Sequence, residues 1–263
     1  MERQAQVDQP GGTYQALDSV VARLLGPGGC PWDREQSHQS LKRYLLEECY
    51  EFMEAVDAGD ANGMAEELGD VLAQVAFHIR LAEEAGTFTA ADVFGAVVDK
   101  LERRHPHVFG DGEAETPEQV KAKWEEIKRQ ERGESASRLG QVPGHLPALA
   151  QAQLLQDRAA LAKFDWDRAD DVLEKVEEEV RELGEASSDD EREAEMGDVL
   201  FSLVNSGRWL GIRMEDSLRG ANRRFTRRFV HMEALCAERG VDFAGLTMEE
   251  KESLWQEAKR SVG

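Results

Sequence analysis

The chain has 263 residues, enough for one large domain or two ordinary ones, each able to bury its own core. Its 53 Asp and Glu against 32 Lys and Arg leave a formal charge of −21, which disfavours a nucleic-acid binder that relies on a basic surface to displace counterions. No apolar run approaches the roughly 18 to 20 residues that cross a bilayer, and the first residues offer neither a basic start nor an apolar stretch, so the expectation is a soluble, cytoplasmic protein without a membrane partner.

Charged residues reach 32% and aromatics only 7%, while Val, Ile and Thr seldom alternate with polar residues, so the chain reads as all-α. In chain order, Cys30-Pro31-Trp32-Asp33 precedes a stripe of Leu41, Leu45, Cys49, Phe52 and Val56 at spacings of three and four, one face of a helix. The breaker Asp57 to Gly63 ends it, and Leu68, Val71, Leu72, Val75, Ala76 and Ile79 form a second stripe. Two helices joined so closely are antiparallel neighbours. Cys30, Cys49 and Cys236 are too widely spaced for a zinc or redox pair and read as ordinary thiols.

The same order of signposts then recurs. Trp32-Asp33-Arg34 returns as Trp166-Asp167-Arg168, and Glu47-Glu48-x-x-Glu51 as Glu178-Glu179-x-x-Glu182. Glu67-x-Gly69-Asp70-Val71-Leu72 returns as Glu195-x-Gly197-Asp198-Val199-Leu200. Lys100 and Arg104 correspond to Arg224 and Arg228, and Trp124 and Lys128 to Trp255 and Lys259. The chain therefore reads as a duplicated module, 1–139 and 140–263, with the linker expected in the Gly- and Pro-bearing stretch from Gly133 to Pro147.

On a helix, residues i and i+3 are neighbours, so Glu48 with Glu51 and Glu67 with Asp70 form two carboxylate pairs that a hairpin can turn toward each other. Four carboxylates in a small space repel unless a cation lies among them, and oxygen-only ligands suit Mg²⁺ or Mn²⁺ better than zinc. Glu179, Glu182, Glu195 and Asp198 repeat the set. Carboxylates at this spacing also decorate solvated helix faces, and a duplicated gene preserves structural features too; spacing alone leaves both readings open.

These residues resemble the MazG family of nucleoside triphosphate pyrophosphohydrolases within the all-α NTP pyrophosphatase superfamily. The resemblance extends to Cys30-Pro31-Trp32-Asp33, His38-Gln39-Ser40-Leu41, Arg103 to Phe109, Leu146-Pro147-Ala148-Leu149 and Phe164-Asp165-Trp166-Asp167, in the order of a two-module member. It implies Mg²⁺-dependent cleavage of a nucleoside triphosphate between the α and β phosphates, giving monophosphate and pyrophosphate, with broad action on standard and aberrant nucleotides, deoxynucleotides included. A metal-activated water is the natural nucleophile. Glu47 and Glu178, each about 100° around the helix from its neighbouring ligand, are candidates to orient or deprotonate that water. The resemblance assigns phosphate binding to Arg224, Arg228 and Lys259 with Trp255 enclosing the nucleotide, and Lys100, Arg104, Lys128 and Trp124 as first-module counterparts.

Neighbouring positions distinguish the modules. Asn205, two turns beyond Asp198 on the same face, can hydrogen-bond a substrate, whereas its counterpart is Phe77; Asn222 likewise stands where the first module has Val98. The second module is thus the catalytic candidate, in line with family members whose activity lies in the C-terminal half. A hairpin with one metal face and one apolar face needs further helices, and the resemblance implies four-helix bundles built by homodimerisation of like modules. Two alternatives compete: a di-iron carboxylate bundle using Glu35-x-x-His38 and Glu102-x-x-His105, and a non-catalytic acidic adaptor or regulatory nucleotide-binding protein.

Overall fold

A computed structural model describes residues 12–132 and 137–263. Among them are eleven α-helices and no β-strand, so the fold is all-α. The chain separates into two compact units, Met1–Ile127 and Lys128–Gly263. Of the expected linker at 133–147, residues 133–136 lie outside the described residues, and 137–147 form turns without helix.

The first unit carries α1 (Tyr14–Leu25), α2 (His38–Ala58), α3 (Ala61–Glu84), α4 (Ala90–Arg104) and α5 (Pro106–Phe109), and α6 (Pro117–Arg132) follows. Caps rather than the apolar stripes set the ends of the hairpin. The Ser37 hydroxyl accepts the Ser40 N–H while the Ser40 hydroxyl accepts the Ser37 N–H, a reciprocal start for α2. At the other end Gly59 adopts φ 67°, a left-handed cap that a β-carbon would strain, and Asp60 at once caps α3 by accepting the Asn62 N–H at 3.0 Å. The chain thus reverses within two residues, and α2 packs along α3. Val21 and Leu25 of α1 meet Ala76 of α3, with Tyr14, Leu17 and Phe77 around them, and Arg80 of α3 binds Asp18 of α1 at 2.5 Å.

The second unit holds α7 (Ala148–Leu161), α8 (Ala169–Glu185), α9 (Asp189–Trp209), α10 (Met214–Arg239) and α11 (Met248–Val262). Its hairpin is α8–α9, and α7 packs on α9 as α1 packs on α3, so the repeated sequence signposts occupy a repeated helical arrangement. Ser188 and Glu191 cap α9 reciprocally. Gln153 of α7 fixes the next turn: its Nε2 donates to the Ile212 carbonyl and its Oε1 accepts the Met214 N–H, both at 3.0 Å. Gly207 faces Met214 so closely that a β-carbon there would lie 2.2 Å from its sulfur. Farther on, Met232 and Cys236 of α10 bury against Leu254 and Ala258 of α11, with Trp255 at the margin. Burying side chains the size of Met232 and Leu254 contributes about 1.5–3 kcal/mol each.

Cys30, Cys49 and Cys236 are free thiols. No helix among the described residues is long and apolar enough to cross a membrane. Neither Glu-x-x-His string lies in one helix: Glu35 belongs to a short 3₁₀ turn before His38 opens α2, and His105 follows the end of α4 ahead of Pro106. His38 instead stacks on His78, and His105 Nδ1 lies 2.6 Å from the Leu101 carbonyl.

Candidate metal centres and an adjoining cavity

The hairpins bring carboxylates from successive helices together. Glu48 and Glu51 of α2 and Glu67 of α3 each offer an oxygen within 4.8 Å of the others, and Glu179 and Glu182 of α8 with Glu195 of α9 do the same. Asp70 and Asp198 stand outside these tight groups of three but close enough to act on them electrostatically. Burial, then the charges of Asp70, Glu51 and Glu67, raises the pKa of Glu48 above the ordinary carboxylate value. Glu67 is raised by burial and by Glu51 and Asp70, and Glu195 by burial and by Glu182, Asp198 and Glu179.

Two observations test whether these donors fit a divalent cation. Glu67 Oε2 is buried with no donor group to bind, and the side chain's close polar neighbour is another carboxyl, Glu51, an unfavourable arrangement of anionic groups that a metal ion would relieve. The donor set is oxygen only, the type hard cations take. The acidic clusters can therefore coordinate a divalent metal.

The two centres differ in their surroundings. Glu179 is 5% exposed and binds Lys175 Nζ at 2.6 Å; the same ammonium lies 3.1 Å from Glu178. These contacts, Glu179 first, raise the Lys175 pKa above its ordinary value. Glu47, the counterpart of Glu178, is exposed. Lys175 is a site residue that sequence reasoning missed; its only signal is its place one turn before Glu179, where the first module has Tyr44.

A cavity of about 690 Å³ opens beside the second centre, bordered by Lys175, Glu179, Asp198, Asn205 and Arg208. Its floor is built locally. Just beyond the end of α7, Lys163 adopts φ 65°, and the Phe164 N–H bonds the Ala159 carbonyl at 2.9 Å, closing the helix. Asp165 then receives Arg208 through both guanidinium nitrogens and the Trp209 indole N–H at 3.2 Å. Burial opposes the Asp165 charge, but these donors outweigh it and hold the carboxyl below its ordinary value. The pinned segment carries Phe164 and Trp166 onto the cavity wall. Arg208 also donates to Asn205 Oδ1 at 2.9 Å, so the acceptor of Asn205 is engaged within the protein and its amide donors remain for a ligand.

The basic residues of α10 and α11 gather elsewhere. Arg228 and Lys259 flank Trp255, 5.8 and 5.9 Å from its ring centre, and Arg228 Nε donates to the Gly263 carbonyl at 3.2 Å. Asn222 and Arg224 are exposed on α10, and none of these five residues borders the cavity. Of the counterparts expected in the first module, Lys100 is exposed near the end of α4, Arg104 is half-buried on the last turn of that helix, and Trp124 of α6 lies 6.3 Å from the His105 ring; Lys128, one turn beyond Trp124 on α6, is half-buried and is the first residue of the second unit. Phe77, in the place of Asn205, packs against the α1–α3 core.

A family model described as the MazG nucleotide pyrophosphohydrolase domain matches residues 36–109. The chain is 46% identical over 247 residues to the nucleoside triphosphate pyrophosphohydrolase/pyrophosphatase MazG of Thermotoga maritima, covering 94% of this chain and 95% of that one. It is 44% identical over 252 residues to the nucleoside triphosphate pyrophosphohydrolase of Escherichia coli K12, covering 93% and 96%. An uncharacterised protein, YabN of Bacillus subtilis, is 45% identical over 253 residues, 94% of this chain and 52% of that protein.

Proposed function

The chain belongs to the MazG family of nucleoside triphosphate pyrophosphohydrolases, and from that membership we propose that its second module carries the turnover, cleaving ribo- and deoxyribonucleoside triphosphates between the α and β phosphates with Mg²⁺, Mn²⁺ serving as a substitute. The observation that carries this reading is the cavity beside Glu179 and Asp198, whose volume is of the size that holds a small-molecule ligand. In the first module the corresponding helix places Phe77 in the core, leaving an apolar side chain where the second has Asn205.

Glu179, Glu182, Glu195 and Asp198 would hold the metal, which when bound would supply counter-charge for the triphosphate and would make a bound water more acidic. Glu178 would orient a water at the α phosphorus and accept its proton at a carboxylate oxygen as the new P–O bond forms and the bond to the departing pyrophosphate breaks in line. Lys175 adds positive charge where a chain of net charge −21 would otherwise repel the substrate. The Asn205 amide donates to the nucleotide. Arg224, Arg228, Trp255 and Lys259, with Asn222 beside them, are assigned the phosphate clamp by family membership alone, since within one chain none of them borders the cavity. In the first module Glu48, Glu51, Glu67 and Asp70 hold metal for assembly or regulation, Glu47 is the equivalent of Glu178, and Lys100, Arg104, Trp124 and Lys128 form the corresponding clamp.

The modules, 1–139 and 140–263, complete their bundles by homodimerisation. Large apolar side chains exposed on the hairpins, Leu72 at 54%, Val180 at 52% and Leu200 at 48%, support this reading, because a second copy would bury them. Broad action on standard and damaged nucleotides makes the protein a cleaner of the cytoplasmic nucleotide pool. The test is a pyrophosphate-release screen over common and damaged NTPs and dNTPs with and without Mg²⁺. Release that needs the metal and spans several bases is the expected result; no release from any nucleotide overturns the reading.

A further inference from the structure

We propose that the segment joining the modules regulates the cavity beside Glu179: a turn at residues 137–141, clamped by Arg158, forms part of the cavity wall through Leu139, and its order and nucleotide affinity rise and fall together. This rests on the pyrophosphohydrolase reading and adds to it a route by which changes outside the metal centre reach the substrate.

The turn is shaped by its own residues. The Gly140 N–H donates to the Ser137 carbonyl at 2.8 Å, and Gly140 takes φ 61°, a conformation that a β-carbon would strain. The Leu139 N–H donates to the Ser137 hydroxyl at 3.3 Å. Bonds within so short a turn fix its shape but not its place on the protein. The place comes from Arg158, half-buried on the last turn of α7, whose Nη1 donates to the Leu139 carbonyl at 2.5 Å and to the Gln141 carbonyl at 2.9 Å. That nitrogen carries two hydrogens, so one group serves both carbonyls, and a charged donor makes the bonds of the stronger kind. Arg158 is thus a positioning residue.

What it positions is Leu139, which borders the same cavity as Glu179 and Asp198 and is 39% exposed, so a ligand can reach it. Ala159, next to Arg158, borders that cavity too, so the clamp seats the turn on the helix that forms the wall. The Leu139 side chain has no group that binds a phosphate or moves a proton; its contribution is apolar contact with the base or the carbon face of the sugar. Contact of that kind acts alike on substrate and transition state, so it sets KM and leaves kcat. A turn already held by Arg158 needs little further ordering when a nucleotide enters, whereas a released turn must be ordered during binding. By linkage, the nucleotide tightens the turn as much as the turn tightens the nucleotide. The turn lies near the start of the second unit, on the covalent path from the first, so a displacement that drew on this path would loosen the cavity.

The test measures binding of non-cleavable α,β-methylene ATP to the full chain in Mg²⁺ by calorimetry, together with amide hydrogen exchange across residues 137–141. In the parent, exchange in that segment should slow when the analogue binds. In Arg158→Met, which keeps the apolar stem and loses the donors, exchange there should quicken and analogue affinity should fall about three- to tenfold. KM for pyrophosphate release should rise by a similar factor, with kcat within about twofold of the parent. Leu139→Ala, a truncation at an exposed position, should weaken binding about threefold or more and decides the matter should Arg158→Met fail to fold. Affinity equal to the parent's in either folded variant overturns the proposal, as does exchange in the segment that ignores the analogue. A fall in kcat without a rise in KM also overturns it, by placing the effect on the chemistry. A parent that binds the analogue and releases no pyrophosphate counts against the catalytic reading alone, while the affinity ratios and the exchange still decide the turn.

Discussion

Lys175 Nζ lies 2.6 Å from Glu179 Oε1, so a protein ammonium already engages one of the carboxylates proposed to hold metal. A side-chain cation and a divalent cation compete for the same anionic oxygen, and removing the first strengthens the second. Lys175→Met is expected to bind Mg²⁺ more tightly by calorimetry. Its kcat/KM should nevertheless fall tenfold or more, about 1.4 kcal/mol, because charge opposite the triphosphate is lost. Weaker Mg²⁺ binding in this variant would show that Lys175 positions Glu179 instead of competing for it.

The two modules are separated by a matched pair of substitutions. Glu179→Gln should reduce pyrophosphate release by about 100-fold or more, the scale on which losing a group that organises transition-state charge is felt. Glu48→Gln should leave release within about threefold of the parent, a change below 1 kcal/mol. Equal loss from both would move the assignment from one module to a shared or composite site.

Metal and charge can also be separated by stability. Without metal, Glu67 Oε2 is buried with no donor group to bind, beside Glu51 and Asp70, and Glu67→Gln removes one of the repelling charges. In EDTA this variant should unfold at a higher temperature than the parent. On adding Mg²⁺ the order should reverse, because the parent gains ligand-linked stability that the variant cannot. A melting temperature that ignores Mg²⁺ in both proteins would defeat the proposed centre in the first module.

Asp165 provides a pH signature of opposite origin. Arg208 and Trp209 hold its folded pKa below the unfolded value near 4. The folded state therefore binds fewer protons in this range, and the pair's contribution is present above about pH 4 and lost as pH falls through the folded pKa. Asp165→Asn should destabilise the protein by about 1–3 kcal/mol at pH 7, leaving Arg208 without its carboxylate, and should flatten the acid limb of the melting curve. An unchanged acid limb would assign that limb to other carboxylates.

Assembly has its own test. Light scattering at micromolar concentration should give the mass of two chains, and Leu200→Glu, which puts a charge on an exposed apolar position of α9, should shift the mass toward one. A single-chain mass for the parent would remove the dimer from the proposal.

Much of this geometry follows from spacing that the sequence displays. The stripes from Leu41 to Val56 and from Leu68 to Ile79 fall inside α2 and α3, which extend beyond them because Ser37, Gly59 and Asp60 set the ends by capping. The approach of Glu67 to Glu48 and Glu51 follows from i, i+3 neighbours on two helices joined by a short turn. What spacing does not carry is partnership across distant segments. Arg208 meets Asp165 across 43 residues, and Gln156 meets Phe201 across 45, with no periodicity linking either pair. The cavity emerges only when α7 folds onto α9, which is why Gln156 reads in the sequence as one more polar residue on an Ala-rich helix. The basic cluster around Trp255 is subtler: its members sit together as i, i+4 spacing and the α10–α11 contact require, yet none of them borders the cavity beside Glu179, a separation that spacing does not foretell.

The missing methyl at Gly207 has a consequence beyond its own turn. Asn205 and Arg208 sit on either side of it, and the thioether of Met214 fills the space a β-carbon would take. Alanine there would push α10 away from α9 or force Met214 into another rotamer, and the displacement would be transmitted to two residues that border the cavity without either being altered. Gly207 thus acts as a spacer that sets the shape of the cavity, and enlarging it should detune the proposed nucleotide binding while every polar group remains in the chain.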